Sequence, residues 1–146
     1  MDELTIGQVS ERTGLSVHAL RYYEREGLLV GSVSRSSGGR RRYSTFDVDW
    51  IRLCVRFREC GMPVTEIRHY AELVAAGTGN EEERLQLLRA QEARLKHELS
   101  RMTECLTVIR AKADLYAQHV TAGTAGSLWT GETPACLALE AGVQPV

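Results

Sequence analysis

From Glu81 to Tyr116 the chain contains neither glycine nor proline. Leu85, Leu88, Leu95, Leu99, Met102, Leu106, Ile109, Ala113 and Tyr116 fall on it in alternating steps of three and four. Including Glu92 completes the alternation over about five heptads, with that one site polar. At about 1.5 Å per residue such a helix extends roughly 50–55 Å, too far to fold back on a small domain. A helix lying on its own core shows a wider apolar face than this seam. The pattern therefore predicts a coiled coil and a homodimer, without setting the direction of the strands. Glu81, Glu82 and Glu83 suit the positive end of the helix dipole.

Two shorter helices stand near the N-terminus. Thr5 and Gln8 fit a capping box that starts a helix at about Ile6. Gly14 can end it in a left-handed conformation, and Ser16 can cap the next, over Val17 to about Glu26, stopped by Gly27. Leu15, Leu20, Tyr23 and Leu28 suit the packed side. His18, Tyr22 and Arg25 share another face with Arg21 beside them, able to reach phosphates or base edges. The plainer alternative is a solvated face pairing with Glu24 or other carboxylates.

The residues beyond this helix weight the choice. Arg21, Arg25, Arg35, Arg40, Arg41 and Arg42 face two acids, Glu24 and Glu26, in this stretch. Ser36, Ser37, Gly38 and Gly39 supply a turn. Consecutive arginines repel unless something anionic lies alongside, so Arg40, Arg41, Arg42 and Tyr43 read as a wing on a nucleic-acid backbone or in a minor groove. The whole is the outline of a winged helix-turn-helix.

Thr5-Ile6-Gly7, Thr13-Gly14-Leu15-Ser16, Leu20-Arg21-Tyr22-Tyr23-Glu24, Gly27-Leu28-Leu29 and Gly39-Arg40-Arg41-Arg42-Tyr43 occur in this order. Together they resemble the DNA-binding domain of the MerR family of bacterial transcription regulators. The resemblance implies a dimer with antiparallel pairing, each long helix reaching the partner's DNA-binding domain. It also implies double-stranded promoter DNA and RNA polymerase at that promoter as partners, and a mechanism in which an overlong spacer is bent and untwisted on a signal.

The expected architecture is mainly α. A winged helix-turn-helix DNA-binding domain (1–76) is followed by a coiled-coil dimerisation helix (80–119) and a short tail (120–146). Within the first domain, Ser44 and Asp47 start a helix running to about Glu59, with Val48, Ile51, Leu53, Val55 and Phe57 as its apolar surface. A second, from Thr65 to about Ala76, presents Ile67, Tyr70, Leu73 and Val74. Arg52, Arg56 and Arg58 are either phosphate contacts or surface charge. In the tail, Trp129, Cys136, Leu137 and Leu139 have apolar reach, and it is either disordered or packed on the dimer. It is too short for the separate ligand-binding domain of multidrug-responsive relatives.

Composition narrows the function. A net charge of −1 over 146 residues opposes indiscriminate polyanion binding and favours a local, oriented basic patch. The acidic N-terminus has no signal-peptide core and no apolar run is long enough for a membrane span, so a cytoplasmic protein is expected. Cys54, Cys60, Cys105 and Cys136 form no C-x-x-C pair, which speaks against a disulfide framework, an iron–sulfur cluster and a thiol oxidoreductase. No metal site, cofactor or catalytic residue is expected. Cys54, with Arg52, Arg56 and Arg58 favouring its thiolate, is similar to the cysteine of the aldehyde- and thiol-stress-responsive branch. It is the candidate electrophile sensor, with Cys60 as a resolving thiol, although a cysteine among Ile51, Leu53 and Val55 also reads as a small buried hydrophobe. Two alternatives stay open. One is a small-ligand-responsive regulator with Trp50, Tyr70, Tyr116 and Trp129 lining a pocket between long helix and tail. The other is a DNA-architectural or excisionase-like protein, which would not need the heptads.

Overall fold

The computed structural model describes residues 3–132 and 134–137. Its elements run α1 (Ile6–Thr13), α2 (Val17–Arg25), β1 (Ser34–Arg35), β2 (Arg41–Arg42), α3 (Thr45–Glu59), α4 (Val64–Ala75) and α5 (Glu81–Ala122). Two 3-10 turns follow, Ala125–Ser127 and Ala135–Leu137. The protein is mainly helical, with a two-stranded wing and a long C-terminal helix. No helix among the described residues is long and apolar enough to cross a membrane.

Local chemistry sets most boundaries. The Thr5 hydroxyl accepts from Gln8 N at 3.2 Å while Gln8 Oε1 accepts from Thr5 N at 2.8 Å. Ser44 and Asp47 repeat this reciprocal cap at the start of α3, and Ser16 Oγ accepts from Ala19 N to start α2. Each such cap satisfies amide groups a helix cannot pair internally. The ends of α2 and α3 share one device. Gly27 has φ +71° and Gly61 φ +77°, which let the chain turn back so that Leu28 N donates to Tyr23 O and Met62 N to Phe57 O. That closure places the next apolar side chain, Leu28 or Met62, inside.

The chain packs as two units, one ending at Glu92 and one beginning at Ala93, with α5 running through both. In the first, Val9, Leu20, Tyr23, Leu28, Ile51, Cys54, Ile67 and Ala71 are almost wholly enclosed. Each large side chain among them gains about 1.5–3 kcal/mol from leaving water. Trp50 reaches across this core: its Nε1 donates to Leu28 O at 2.7 Å, and the Cys54 Sγ lies 3.7 Å from the same oxygen. Trp50 stacks on Tyr70 at 5.9 Å and on Phe46 at 6.3 Å. The start of α5 docks here through Leu87, which packs on the core, and through Gln91, whose Nε2 donates to Cys60 O at 2.5 Å. Asn80 Nδ2 donates to Leu73 O at 2.8 Å, tying the α4–α5 turn to the end of α4.

The heptad residues do not contribute to this core. Leu85, Leu88, Leu95, Leu99, Met102, Leu106, Ile109 and Tyr116 are all exposed, Leu99 to 68% and Ile109 to 65%. The helix continues beyond the expected end near Tyr116 to Ala122, so Val120 extends the same alternation. In the second unit Leu128 is enclosed and its carbonyl accepts from Cys136 N at 3.1 Å. Trp129 Nε1 donates to Tyr116 Oη at 2.6 Å. The described tail thus packs on its own long helix; Leu139 lies outside the described residues.

Removing the indole N–H with Trp50→Phe leaves a buried carbonyl short of its main donor. Urea unfolding is expected to show a loss of about 1–3 kcal/mol; a change below about 0.5 kcal/mol, as for an ordinary surface substitution, would contradict this role.

Candidate nucleic-acid interface

The second helix of the helix-turn-helix shows two faces. Leu20 and Tyr23 point into the core, while His18, Arg21 and Arg25 are exposed. Tyr22 is between them, packed against the core edge with the Arg25 guanidinium 5.8 Å and that of Arg58 5.6 Å from its ring. Such contacts hold the side chains of Arg25 and Arg58 over an aromatic face. Arg21 stands free of ion pairs among the described residues.

The wing is a short antiparallel hairpin with Ser34 opposite Arg42 and Arg35 opposite Arg41. Ser36 N donates to Arg40 O at 2.8 Å and Gly39 N to Ser36 O at 2.9 Å, closing the turn. Arg40 is exposed at its tip. An open groove of about 400 Å³ separates wing from helices, lined by Thr5, Ile6, Arg21, Gly39, Arg40 and Arg41. The recognition helix and the wing therefore present Arg21 and Arg40 to one space.

Several residues singled out by sequence sit differently. Tyr43 is 2% exposed and bridges to Leu4, with Leu4 N donating to Tyr43 O at 2.7 Å and the reverse bond at 2.9 Å. It is a core residue that sews the N-terminus to the wing, so its hydroxyl is not available to DNA. Burial, with Glu24 nearby, pushes the Tyr43 hydroxyl above its ordinary pKa. The anion that lies alongside the wing arginines comes from the chain itself. Arg41 Nε contacts Glu24 Oε2, Arg35 Nη2 is 3.5 Å from Glu24 Oε1, and Arg42 Nε is 4.0 Å from Glu3. Arg41 and Arg42 are half-buried, and Arg40 is the wing arginine that faces solvent without an ion pair among the described residues.

Beyond these, Arg52 Nη2 donates to Arg12 O at 2.7 Å, closing the C-terminal end of α1, and Arg56 pairs with Glu59 at 3.2 Å. Arg58 lies over the rings of Tyr22 and Tyr23. Sequence reasoning missed Arg68. Its Nε donates to Glu26 O at 2.6 Å and its Nη2 meets Glu26 Oε2 at 3.0 Å. This bidentate grip fastens α4 to the end of the recognition helix. The contact joins residues 42 apart, and no local pattern announces it.

The cysteine expectation also changes. Cys54 is wholly enclosed, and burial pushes its thiol from the ordinary 9.0 up to about 12. The three arginines expected to favour a thiolate are engaged elsewhere, and desolvation disfavours the charged form. Cys60 and Cys105 are exposed. Of the aromatic side chains expected to line a pocket, Trp50 stacks on Tyr70, and Trp129 Nε1 donates to Tyr116 Oη. Among the described residues no three His, Cys, Asp or Glu side chains converge to hold a metal ion.

The Cys54 shift has a pH signature. An unfolded chain ionises this thiol above about pH 9, whereas the folded chain keeps it protonated to about 12. Its contribution to stability is complete below about pH 9 and falls as pH rises through that window. Cys54→Ala is expected to flatten the alkaline fall in urea midpoint between pH 9 and 11; an unaltered fall would contradict the burial argument.

Comparison with known proteins places this geometry. A family model described as MerR HTH family regulatory protein matches residues 4–73. An HTH-type transcriptional regulator of Haemophilus influenzae is 30% identical over 120 residues, covering 82% of this chain and 88% of that protein. AdhR, an HTH-type transcriptional regulator of Bacillus subtilis, is 34% identical over 92 residues, or 63% of this chain and 65% of its own length. The solved structure of HiNmlR, a MerR family regulator lacking the sensor domain and bound to promoter DNA, superposes with a TM-score of 0.68 at 28% identity. That match covers 86% of this chain and 98% of HiNmlR. A structure from Listeria monocytogenes assigned to the MerR family gives a TM-score of 0.74 at 32% identity, covering 82% of this chain and 90% of that one. With its two-helix reader, its wing and these relatives, the chain belongs to the MerR family of DNA-binding, helix-turn-helix transcriptional regulators.

Proposed function

We propose that two copies of this chain pair along α5 and carry their winged helix-turn-helix domains onto one promoter duplex, which the dimer bends and untwists when a signal arrives. The observation that supports this best is the row of exposed apolar residues from Leu85 to Val120. A row this long on one face of a single helix is stable in water when a second helix covers it. The promoter-bound relative supports the choice of duplex DNA as the other partner. Residues 1–76 act as the reader, 80–119 as the dimerisation rod and 120–146 as a tail associated with it. RNA polymerase acts at the same promoter, on the distorted spacer.

His18, Arg21 and Arg25 from α2 and Arg40 from the wing are the DNA-facing set, with Tyr22 shaping the position of Arg25. Arg41 and Arg42 lie behind them. Electrophile sensing through Cys54 requires α3 to open around Leu28 first, because the closed fold holds the thiol neutral and enclosed. A small ligand stacking on the exposed pair Tyr116 and Trp129 is the second reading, supported by Trp129 being 56% exposed.

The two halves of the proposal separate experimentally. Sedimentation is expected to give twice the 16.3 kDa chain mass for the wild type and the single mass for Leu99→Glu, which buries a charge in the seam. Arg21→Ala and Arg40→Ala should stay dimeric but bind a random-sequence duplex more weakly, with the log–log salt slope reduced by about 0.9 for each phosphate interaction removed. A monomeric wild type would refute the rod; unchanged salt slopes would refute the DNA-facing set.

A further inference from the structure

We infer that Glu24 is a positioning residue for DNA reading, which docks the wing on the recognition helix and cancels part of the wing's positive charge. The inference rests on the DNA-binding role above and assigns a function to a carboxylate within it. Arg35 and Arg41 sit directly opposite each other in the hairpin register. Like charges facing across two strands destabilise the pair, and this hairpin is only two residues deep on each side. Glu24 resolves the conflict from outside the sheet. One carboxylate oxygen meets Arg41 Nε and the other faces Arg35 Nη2 at 3.5 Å. Arg35 Nη1 also donates to Gly39 O at 3.1 Å, so its guanidinium connects the carboxylate to the wing's turn.

Glu24 lies on α2, one residue from Tyr23 in the core and one from Arg25 on the open face. Its side chain is 24% exposed and that of Arg41 25%, so water screens this contact less than it screens a surface pair. The groove between α2 and the wing is affected in two ways. The spacing between Arg21 and Arg40 is held by a contact that involves neither. The cluster of Glu24, Arg35 and Arg41 offers an approaching polyanion one net positive charge instead of two. Glu24 thus lowers attraction to any duplex while fixing the geometry that a particular duplex must match. That combination raises discrimination, because non-specific affinity comes almost wholly from charge whereas specific affinity also needs register.

Glu24→Gln keeps the size of the side chain and removes its charge. It is to be compared with the wild type and with Glu24→Asp on two probes: a random-sequence duplex, and a duplex selected from a random pool by the wild-type protein. Glu24→Gln is expected to bind the random duplex more tightly, with a salt slope steeper by about 0.9 per chain, and to show a smaller ratio of selected to random affinity. Glu24→Asp, which retains the charge, is expected to keep the wild-type slope. A Gln variant whose slope is unchanged, or whose affinities for both duplexes fall in parallel, would overturn the inference, since that is how a merely structural residue behaves. Failure of the Gln variant to fold, seen by circular dichroism, would overturn it on the same ground. If the wild type itself shows no salt-dependent duplex binding, the DNA-binding assignment falls as well; if it does and only the Gln slope is unchanged, Glu24 alone is misassigned.

Discussion

The Leu28 carbonyl is the point on which the reading surface depends. It lies just past the recognition helix, inside the core, where water cannot satisfy it. Trp50 from α3 supplies the N–H, and the Cys54 thiol lies against the same oxygen. An unpaired buried carbonyl costs a sizeable part of a small domain's stability, so α2 and α3 are held in one relative position. Arg68 adds a second fixture from α4 at Glu26. The exposed arginines of α2 therefore project from a rod pinned at its exit. This is what a reader of base edges needs, since its side chains must arrive in register with a rigid groove.

The same anchoring explains why Cys54 differs from a reactive thiol. Its place beside Leu28 gives it a packing partner and removes it from water, and burial raises its pKa accordingly. Chemistry at this sulfur would disturb the Leu28 carbonyl at the exit of the recognition helix, because Cys54 Sγ and Trp50 Nε1 share that acceptor. That coupling operates only after the core has opened, so the thiol's reactivity and the helix's position are bound to one equilibrium.

The parts legible in the sequence were those set by neighbours along the chain. Thr5 with Gln8, Gly14, Ser16, Gly27 before Leu28, and Ser44 with Asp47 placed α1 to α3 within a residue or two. The three–four alternation marked α5 and its exposed stripe. What sequence reasoning missed came from contacts between distant short segments. Tyr43 looked like part of a basic wing, but pairing with Leu4 turns it inward. Arg41 read as DNA-facing because its partner Glu24 is on another element, and Leu87 and Gln91 were not singled out, since they lie off the heptad seam and dock on the core and on the end of α3. In each case a side chain takes its place from an element distant along the chain, which no local pattern announces.

On the proposed pairing, two rods make a twofold reader, with two pinned helices and two wings brought to one duplex. Hydroxyl-radical footprinting of the wild-type protein on a duplex it has selected tests this most directly. Two protected tracts of equal depth are predicted, related by a dyad and centred about one helical turn, or a whole multiple of it, apart. A single tract with no symmetric counterpart would contradict it.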